Sequence, residues 1–124
     1  MMAAMPPART VALLSDDVMF RSQLGAAVKG FGGELLAIGI GEPVPDVDAV
    51  FVDLNADSPH RLGFIATLRE QRPEQSIVAF CHHGEKELRE MAMRVGASSC
   101  VTNGALQAVA LRLAGVAAPS GERT

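Results

Sequence analysis

The feature that most constrains the fold is a regular alternation of short apolar runs with longer amphipathic segments along a chain of 124 residues. The clearest run, 48–54 (DAVFVDL), contains β-branched residues and shows no regular polar alternation, which is typical of a strand buried on both faces of a sheet. Segments such as 58–71 carry apolar residues at helical spacing. Strands that alternate with helices predict a parallel sheet with helices on both faces.

The pattern predicts five strands and four helices in one domain over residues 10–116. The predicted strands are 10–14, 34–38, 48–54, 76–80 and 99–102, and the predicted helices are 18–28, 58–71, 85–95 and 105–116. Ser58 followed by Pro59 indicates a helix start, with the serine as the capping residue. We expect residues 1–9 to be disordered and 117–124 to form a flexible tail, because neither shows periodicity.

One connection is too short for the fold that the rest of the pattern predicts. Residues 39–47 contain two prolines and fall short of the 10–12 residues that a parallel crossover usually needs. The helix between the second and third strands is therefore predicted to be missing or reduced. Either a bare sheet face then meets a partner or a second copy of the chain, or neighbouring helices cover it. The residues expected on that face are Leu13, Val50 and Val52.

Composition and charge exclude several classes of protein. The net charge of −3 comes without a face rich in Lys and Arg, which argues against nucleic-acid binding. No apolar run is long enough to cross a bilayer, and no secretory signal pattern is present, so no membrane contact is expected. The chain has two cysteines, Cys81 and Cys100, which fits a reducing compartment. We expect a cytoplasmic protein.

Carboxylates follow two of the predicted strands at the edge where functional groups of parallel sheets gather. Asp16 and Asp17 follow the first strand and Asp53 ends the third. Close carboxylates repel unless a cation is present, and oxygen ligands of this kind suit Mg²⁺. The alternative for Asp16 or Asp17 is that it caps the first helix.

Four segments in this order make the chain resemble the receiver domains of bacterial response regulators and their chemotaxis relatives. They are VALLSDD (11–17) with Arg21 after it, DAVFVDL (48–54), IVAFCHH (77–83) and VGASSCVTNG (95–104). The resemblance covers residues 10–116. It implies an α/β, flavodoxin-like, doubly wound five-stranded parallel sheet of order 2-1-3-4-5. It also implies an aspartate on the third strand that accepts a phosphoryl group, with Mg²⁺ assisting.

The resemblance assigns candidate roles to individual residues. Asp53 falls on the phospho-acceptor, and the candidate Mg²⁺ ligands are Asp16, Asp17, Asp53 and the backbone carbonyl of Asn55. Counting back from Arg21 places Ser15 and Asp16 on the acidic pair of the family. Counting by identity alone uses Asp16 and Asp17 instead. We prefer the first register because it keeps the strand length.

Three switch positions depart from the family pattern. Its hydroxyl residue after the fourth strand falls on Cys81, its aromatic residue on the fifth strand on Cys100, and its lysine on Asn103. An asparagine donates only neutral hydrogen bonds, which are about half as strong as charge-assisted ones. We therefore expect phosphoryl transfer, and the switching that it drives, to be weakened.

The leading hypothesis is an atypical receiver, not an enzyme, that acts as a signalling module by binding a histidine kinase or a downstream protein, or a second copy of itself. The surface expected to bind comprises 87–94, 99–101 and 105–113. The rival is a working receiver phosphorylated on Asp53, and a third class is a flavodoxin-like domain that binds a small ligand. We expect His82 and His83 to be exposed loop residues rather than zinc ligands, and no disulfide between the cysteines.

Overall fold

The computed structural model describes residues 10–113, and every strand and helix predicted within them is present. The elements are β1 (Thr10–Leu14), α1 (Val18–Gly30), β2 (Glu34–Ala37), β3 (Ala49–Asp53), α2 (Ser58–Gln71), β4 (Ser76–Cys81), α3 (Lys86–Val95), β5 (Ser99–Thr102) and α4 (Leu106–Leu113). A 3₁₀ turn, Asn103–Ala105, joins β5 to α4. The expectations for 1–9, 114–116 and 117–124 lie outside the described residues.

All five strands are parallel, in the order β2-β1-β3-β4-β5 that the resemblance implies. Helices α1 and α4 pack on one face of the sheet, and α2 and α3 pack on the other. Each face has its own apolar core. The first core contains Leu24, Val28, Phe51, Phe80, Leu106 and Val109, and the second contains Val50, Val52, Leu62, Ile65, Leu68 and Ala92.

Strand β3 is the centre of the molecule because its residues alternate between the two cores. Ala49 and Phe51 belong to the core beneath α1 and α4, whereas Val50 and Val52 belong to the core beneath α2 and α3. All five residues of the strand are buried, as expected of a strand covered on both faces.

The connection between β2 and β3 contains no helix, as predicted, but the expected bare face is not formed. Leu13, Val50 and Val52 are fully buried. Leu13 belongs to the other face of the sheet, and loop residues Val44 and Val47 pack against the core that holds Val50 and Val52. The prediction of an exposed face was wrong because the loop itself supplies the missing apolar cover.

Arg72, which follows α2, holds this loop in place. Its guanidinium donates to the carbonyls of Val44 and Pro45, the latter at 2.8 Å. A cavity of about 340 Å³ remains between the loop and α2, lined in part by Val44 and Phe64. The missing helix therefore leaves a shallow recess between the loop and α2.

The start of α2 differs in one detail from the prediction. Ser58 is the first residue of the helix, and the capping position belongs to Asp57, which has a positive φ of 52°. Aspartate adopts this left-handed conformation more readily than most residues. The Asp57 carboxylate contacts Nδ1 of His60 at 2.7 Å instead of capping the helix. The sharp turn at Asp57 directs α2 back across the end of β3.

Candidate functional site

The candidate site is built on the pairing of β1 with β3. Leu13 pairs with Phe51 and Leu14 with Val52, so the next residues along, Ser15 and Asp53, come side by side at the carboxyl edge of the sheet. Both are buried, although both are polar. A buried polar group needs a hydrogen-bond partner, and each of these two supplies one to the other.

The carboxylate of Asp53 is engaged at both oxygens. The Ser15 hydroxyl donates to Oδ2 at 2.6 Å. The backbone N–H of Asn55 donates to Oδ1 at 2.8 Å, and the side-chain amide of Asn55 donates to the same oxygen at 2.6 Å. These three donors account for the burial of Asp53, which is only 3% exposed.

Asn55 also links Asp53 to the loop after β5. Its side-chain Nδ2 donates to Oδ1 of Asn103 at 3.0 Å, and Nδ2 of Asn103 donates back to Oδ1 of Asn55 at 3.1 Å. The two amides therefore form a reciprocal pair across the mouth of the site. Asn103, which the sequence places at the lysine position of the family, reaches Asp53 only through Asn55.

The two acidic residues after β1 have different surroundings. Asp17 caps α1, and its Oδ1 accepts from the backbone N–H groups of Met19 and Phe20. The Asp16 side chain is 93% exposed and approaches the site through one oxygen. The capping role weighed in the sequence therefore belongs to Asp17, while Ser15 contacts Asp53 and Asp16 contacts Arg61. The choice between the two registers stays a prediction.

Arg61 also lines the candidate site, and it was not predicted from the sequence. It lies in the first turns of α2, and its side chain is only 5% exposed. Its Nη1 donates to the backbone carbonyl of Asp53 at 2.9 Å and lies 3.9 Å from Oδ2 of the same residue, while Nη2 is 3.1 Å from Oδ2 of Asp16. The spacing of Arg61 from Ile65 and Leu68 (four and then three residues) was a signal, since it places a cation on the buried stripe of the helix.

These side chains line a cavity of about 310 Å³ at the carboxyl edge of the sheet. Its walls come from the ends of β1 and β3 and from the start of α2. The lining residues are Asp16, Asp17, Asp53, Asn55, Ala56 and Arg61. All four candidate metal ligands named from the sequence therefore border one cavity, and their roles stay predictions.

Cys81 and Cys100 lie elsewhere, in the core beneath α3. Cys81 is fully buried and Cys100 is partly buried, and both are free thiols. Burial, and to a smaller extent the neighbouring Cys81 thiol, raise the pKa of Cys100 to about 12, while Arg89 opposes the shift. Cys100 therefore stays protonated at neutral pH, and the two thiols behave as small core residues.

The two histidines after β4 have exposed side chains, as the sequence suggests. Their rings lie 4.4 Å apart, and their backbone carbonyls accept from Arg89. Nothing in these contacts directs the imidazoles towards Asp53.

The residues of the cavity do not fit a divalent cation as they stand. Mg²⁺ requires nearly octahedral oxygen ligands at about 2.0–2.1 Å. Both oxygens of Asp53 already accept hydrogen bonds, and a permanently charged guanidinium lies between Asp53 and Asp16. Across residues 10–113, no three His, Cys, Asp or Glu side chains come together closely enough to hold a metal ion.

Comparison with known structures identifies the fold. NtrX from Brucella abortus superimposes with a TM-score of 0.71 over 88% of this chain at 22% identity, and this chain spans only 28% of the length of that protein. A CheY-like protein (TadZ) from Pseudomonas aeruginosa PAO1 gives a TM-score of 0.72 at 19% identity over 85% of this chain and 98% of that one.

A third similar structure is a response regulator from Burkholderia pseudomallei with a phosphorylated aspartic acid, calcium ion and citrate. It gives a TM-score of 0.70 at 16% identity over 85% of this chain and 66% of that one. No protein-family model and no curated protein matches this sequence. The chain thus has the flavodoxin-like fold of response-regulator receiver domains, which confirms the fold that the resemblance implied.

No helix within the described part of the chain is long and apolar enough to cross a membrane.

Proposed function

We propose that this chain is an atypical receiver domain, a cytoplasmic signalling module that binds another protein, with phosphorylation switching weakened or absent. The observation that carries the proposal is the hydrogen bonding of the Asp53 carboxylate. Its carboxylate accepts three hydrogen bonds from Ser15 and Asn55. Hydrogen bonds stabilise the negative charge of a carboxylate, and this makes it a weaker nucleophile towards phosphorus.

The loss of a lysine charge supports the same proposal. In the family that the sequence resembles, a lysine meets the phosphoryl oxygens from the loop after the fifth strand. Here Asn103 stands at that position and is occupied by its reciprocal amide pair with Asn55. A neutral amide stabilises transferred negative charge less than a cation does.

The rival is a working receiver that is phosphorylated on Asp53. The buried aspartate at the end of β3 favours it, because its position matches that of the phospho-acceptor. The similar protein from Burkholderia pseudomallei carries a phosphorylated aspartic acid and a calcium ion. Under this rival, Asp53 accepts the phosphoryl group, and Asp16, Asp17, Asp53 and the Asn55 carbonyl would be the residues that hold Mg²⁺ weakly.

Incubation with acetyl phosphate and Mg²⁺, followed by intact mass, separates the two. We expect no stoichiometric gain of a phosphoryl group on the unmodified chain. Asn103→Lys should increase the phosphorylated fraction by restoring the missing cation, whereas Gln107→Lys, on the exposed face of α4, should not. A stoichiometric gain on the unmodified chain that Asp53→Asn abolishes would establish the rival.

The binding surface that we propose lies on α3 and β5. Met91 and Met93 on α3 are 43% and 47% exposed, and β5 is one of the two edge strands of the sheet. Flexible methionines adapt well to partner surfaces. Helix α4 contributes less than its apolar sequence suggests, because Leu106 and Val109 are buried within the domain beside α1.

The partner is a histidine kinase or a downstream signalling protein, or a second copy of the chain. Sedimentation equilibrium tests the last of these directly. A dimer formed through α3 should be weakened by Met93→Lys, and Met19→Lys, at an exposed methionine on α1, serves as the control. A monomer at every concentration would exclude the second copy and leave a different protein as the partner.

A further inference from the structure

We propose that Arg61 is a built-in cation that occupies the electrostatic role of a divalent metal ion at this site and so keeps Mg²⁺ out. Arg61 bridges the carboxylates of Asp16 and Asp53, the two acidic side chains nearest to it. This inference concerns the site of the proposed function, but it depends only on the contacts of Arg61.

The first step of the argument is charge. Asp16 and Asp53 together carry two negative charges, and the guanidinium supplies one positive charge at 3.1 Å and 3.9 Å from their oxygens. A guanidinium stays charged at every pH at which proteins fold. Asp17 also lines the cavity, so the guanidinium lowers the formal charge that a metal ion would meet from three negative charges to two, and Arg61 would repel the ion at short range.

The second step is attachment. Arg61 cannot easily leave the site, because it lies on the buried stripe of α2 with Ile65 and Leu68. Its Nη1 is bonded to the Asp53 carbonyl at 2.9 Å, and its backbone N–H donates to the Asp57 carbonyl at 3.1 Å. A metal ion would have to displace a guanidinium that is bonded to the Asp53 carbonyl, on a side chain whose backbone is fixed in the helix.

The third step is an unpaired donor. Within the described residues, Nε of Arg61 is the one buried side-chain nitrogen or oxygen that lacks a hydrogen-bond partner. Burying this N–H without a partner costs free energy, and the contacts that the two Nη atoms make with Asp16 and Asp53 offset that cost. The attraction between the Arg61 guanidinium and the carboxylates of Asp16 and Asp53 explains why Arg61 lies at this position.

Magnesium titration followed by amide NMR tests the inference, with Ser15 and Asn55 as reporters. The chain has no Trp or Tyr, so fluorescence would report poorly. Arg61→Met keeps most of the side-chain length and removes the charge, and we expect it to bind Mg²⁺ at least about tenfold more tightly than the unmodified chain. Arg61→Lys keeps a positive charge and should show a much smaller gain.

Arg21→Met is the matched control. Arg21 lies at the same edge of the sheet, is exposed, and bonds the Ser15 carbonyl at 3.3 Å rather than a carboxylate. Its loss changes the net charge equally but should alter Mg²⁺ affinity by less than about threefold. Equal gains in the two methionine variants, or no gain in Arg61→Met, would overturn the proposal.

A second measurement keeps the proposal testable if Arg61→Met does not fold. In the unmodified chain, Mg²⁺ should leave the Arg61 guanidinium resonances unchanged up to millimolar concentrations. Tight Mg²⁺ binding with these resonances undisturbed would show that arginine and metal do not compete, and would overturn the proposal. No phosphodonor is present in either titration, so the result is separate from the phosphorylation test.

Discussion

Ser15 shows how one side chain defines this site. Its hydroxyl donates to the Asp53 carboxylate at 2.6 Å and accepts from the backbone N–H of Asp17 at 3.1 Å. It therefore joins the end of β3 to the start of α1. A second carboxylate at this position could not donate a hydrogen bond to Asp53 and would repel it instead.

We predict that Ser15→Ala lowers the free energy of unfolding by about 1.5–3 kcal/mol, because a buried carboxylate loses its hydroxyl donor. Urea denaturation measures the change. Ser22→Ala is the control, since Ser22 is exposed on α1 and its replacement should stay within about 0.5 kcal/mol. An equal effect of the two substitutions would contradict the role given to Ser15.

The raised pKa of Cys100 makes the stability of the fold depend on pH in the alkaline range. Its native pKa of about 12 lies above the ordinary 9.0, so the folded state keeps a proton that the unfolded state releases. Stability should therefore fall as the pH rises from about 9 towards 12, and the full contribution is present below that range. The slope of unfolding free energy against pH should be flatter in Cys100→Val, and an unchanged slope would contradict the assignment.

At the level of elements, two helix glycines differ in whether a larger residue can replace them. Gly96 ends α3 with a φ of 124°, and a Cβ there would lie 2.8 Å from both Cβ and Cγ of Arg69. Gly63 lies inside α2, exposed, with open space where a Cβ would be. The first glycine is required by the packing of α3 against α2, and the second is not.

We predict that Gly96→Ala destabilises the fold by about 1–3 kcal/mol, through the positive φ and the contact with Arg69. Gly63→Ala should instead stabilise it by about 0.5–1 kcal/mol, because alanine is favoured in a helix interior. Thermal unfolding of the two variants measures both signs. A stabilising effect at Gly96 would show that the C-terminal turn of α3 can relax.

The elements could be predicted from sequence because their signals are local. Apolar runs and helical spacing specify β1, β3 and α2, and the two prolines together with the short connection predict the absence of a helix after β2. The packing of the loop against the second core could not be predicted. It depends on contacts of Val44 and Val47 with that core and on the hydrogen bond from Arg72 to the loop backbone. Arg61 was missed because its meaning depends on a long-range contact with Asp16.

On the scale of the whole molecule, the strands of the sheet differ in how deeply they are buried. Strands β1, β3 and β4 are almost entirely buried, whereas β2, at one edge, has exposed residues at both ends and two half-buried residues between them. The loop that replaces the missing helix adjoins this edge. Among the five strands, β2 is therefore the least buried.

We predict that native-state hydrogen exchange opens β2 before the centre of the sheet. Amides of Leu35 and Leu36 should exchange at least about tenfold faster than those of Val50 and Phe51, because local opening there exposes less apolar surface. Exchange monitored by NMR gives the comparison residue by residue. Equal protection of β2 and β3 would show that the sheet opens only as a unit.

The reciprocal amide pair of Asn55 and Asn103 has a consequence for how the site responds to its surroundings. Neither group ionises, so added electrolyte and moderate acid or base leave the attraction between them nearly unchanged. A lysine in place of Asn103 would bind the neighbouring carboxylate with a strength that varies with ionic strength. The hydrogen bonds that join the two loops at this edge should therefore be about equally strong in dilute buffer and in concentrated salt.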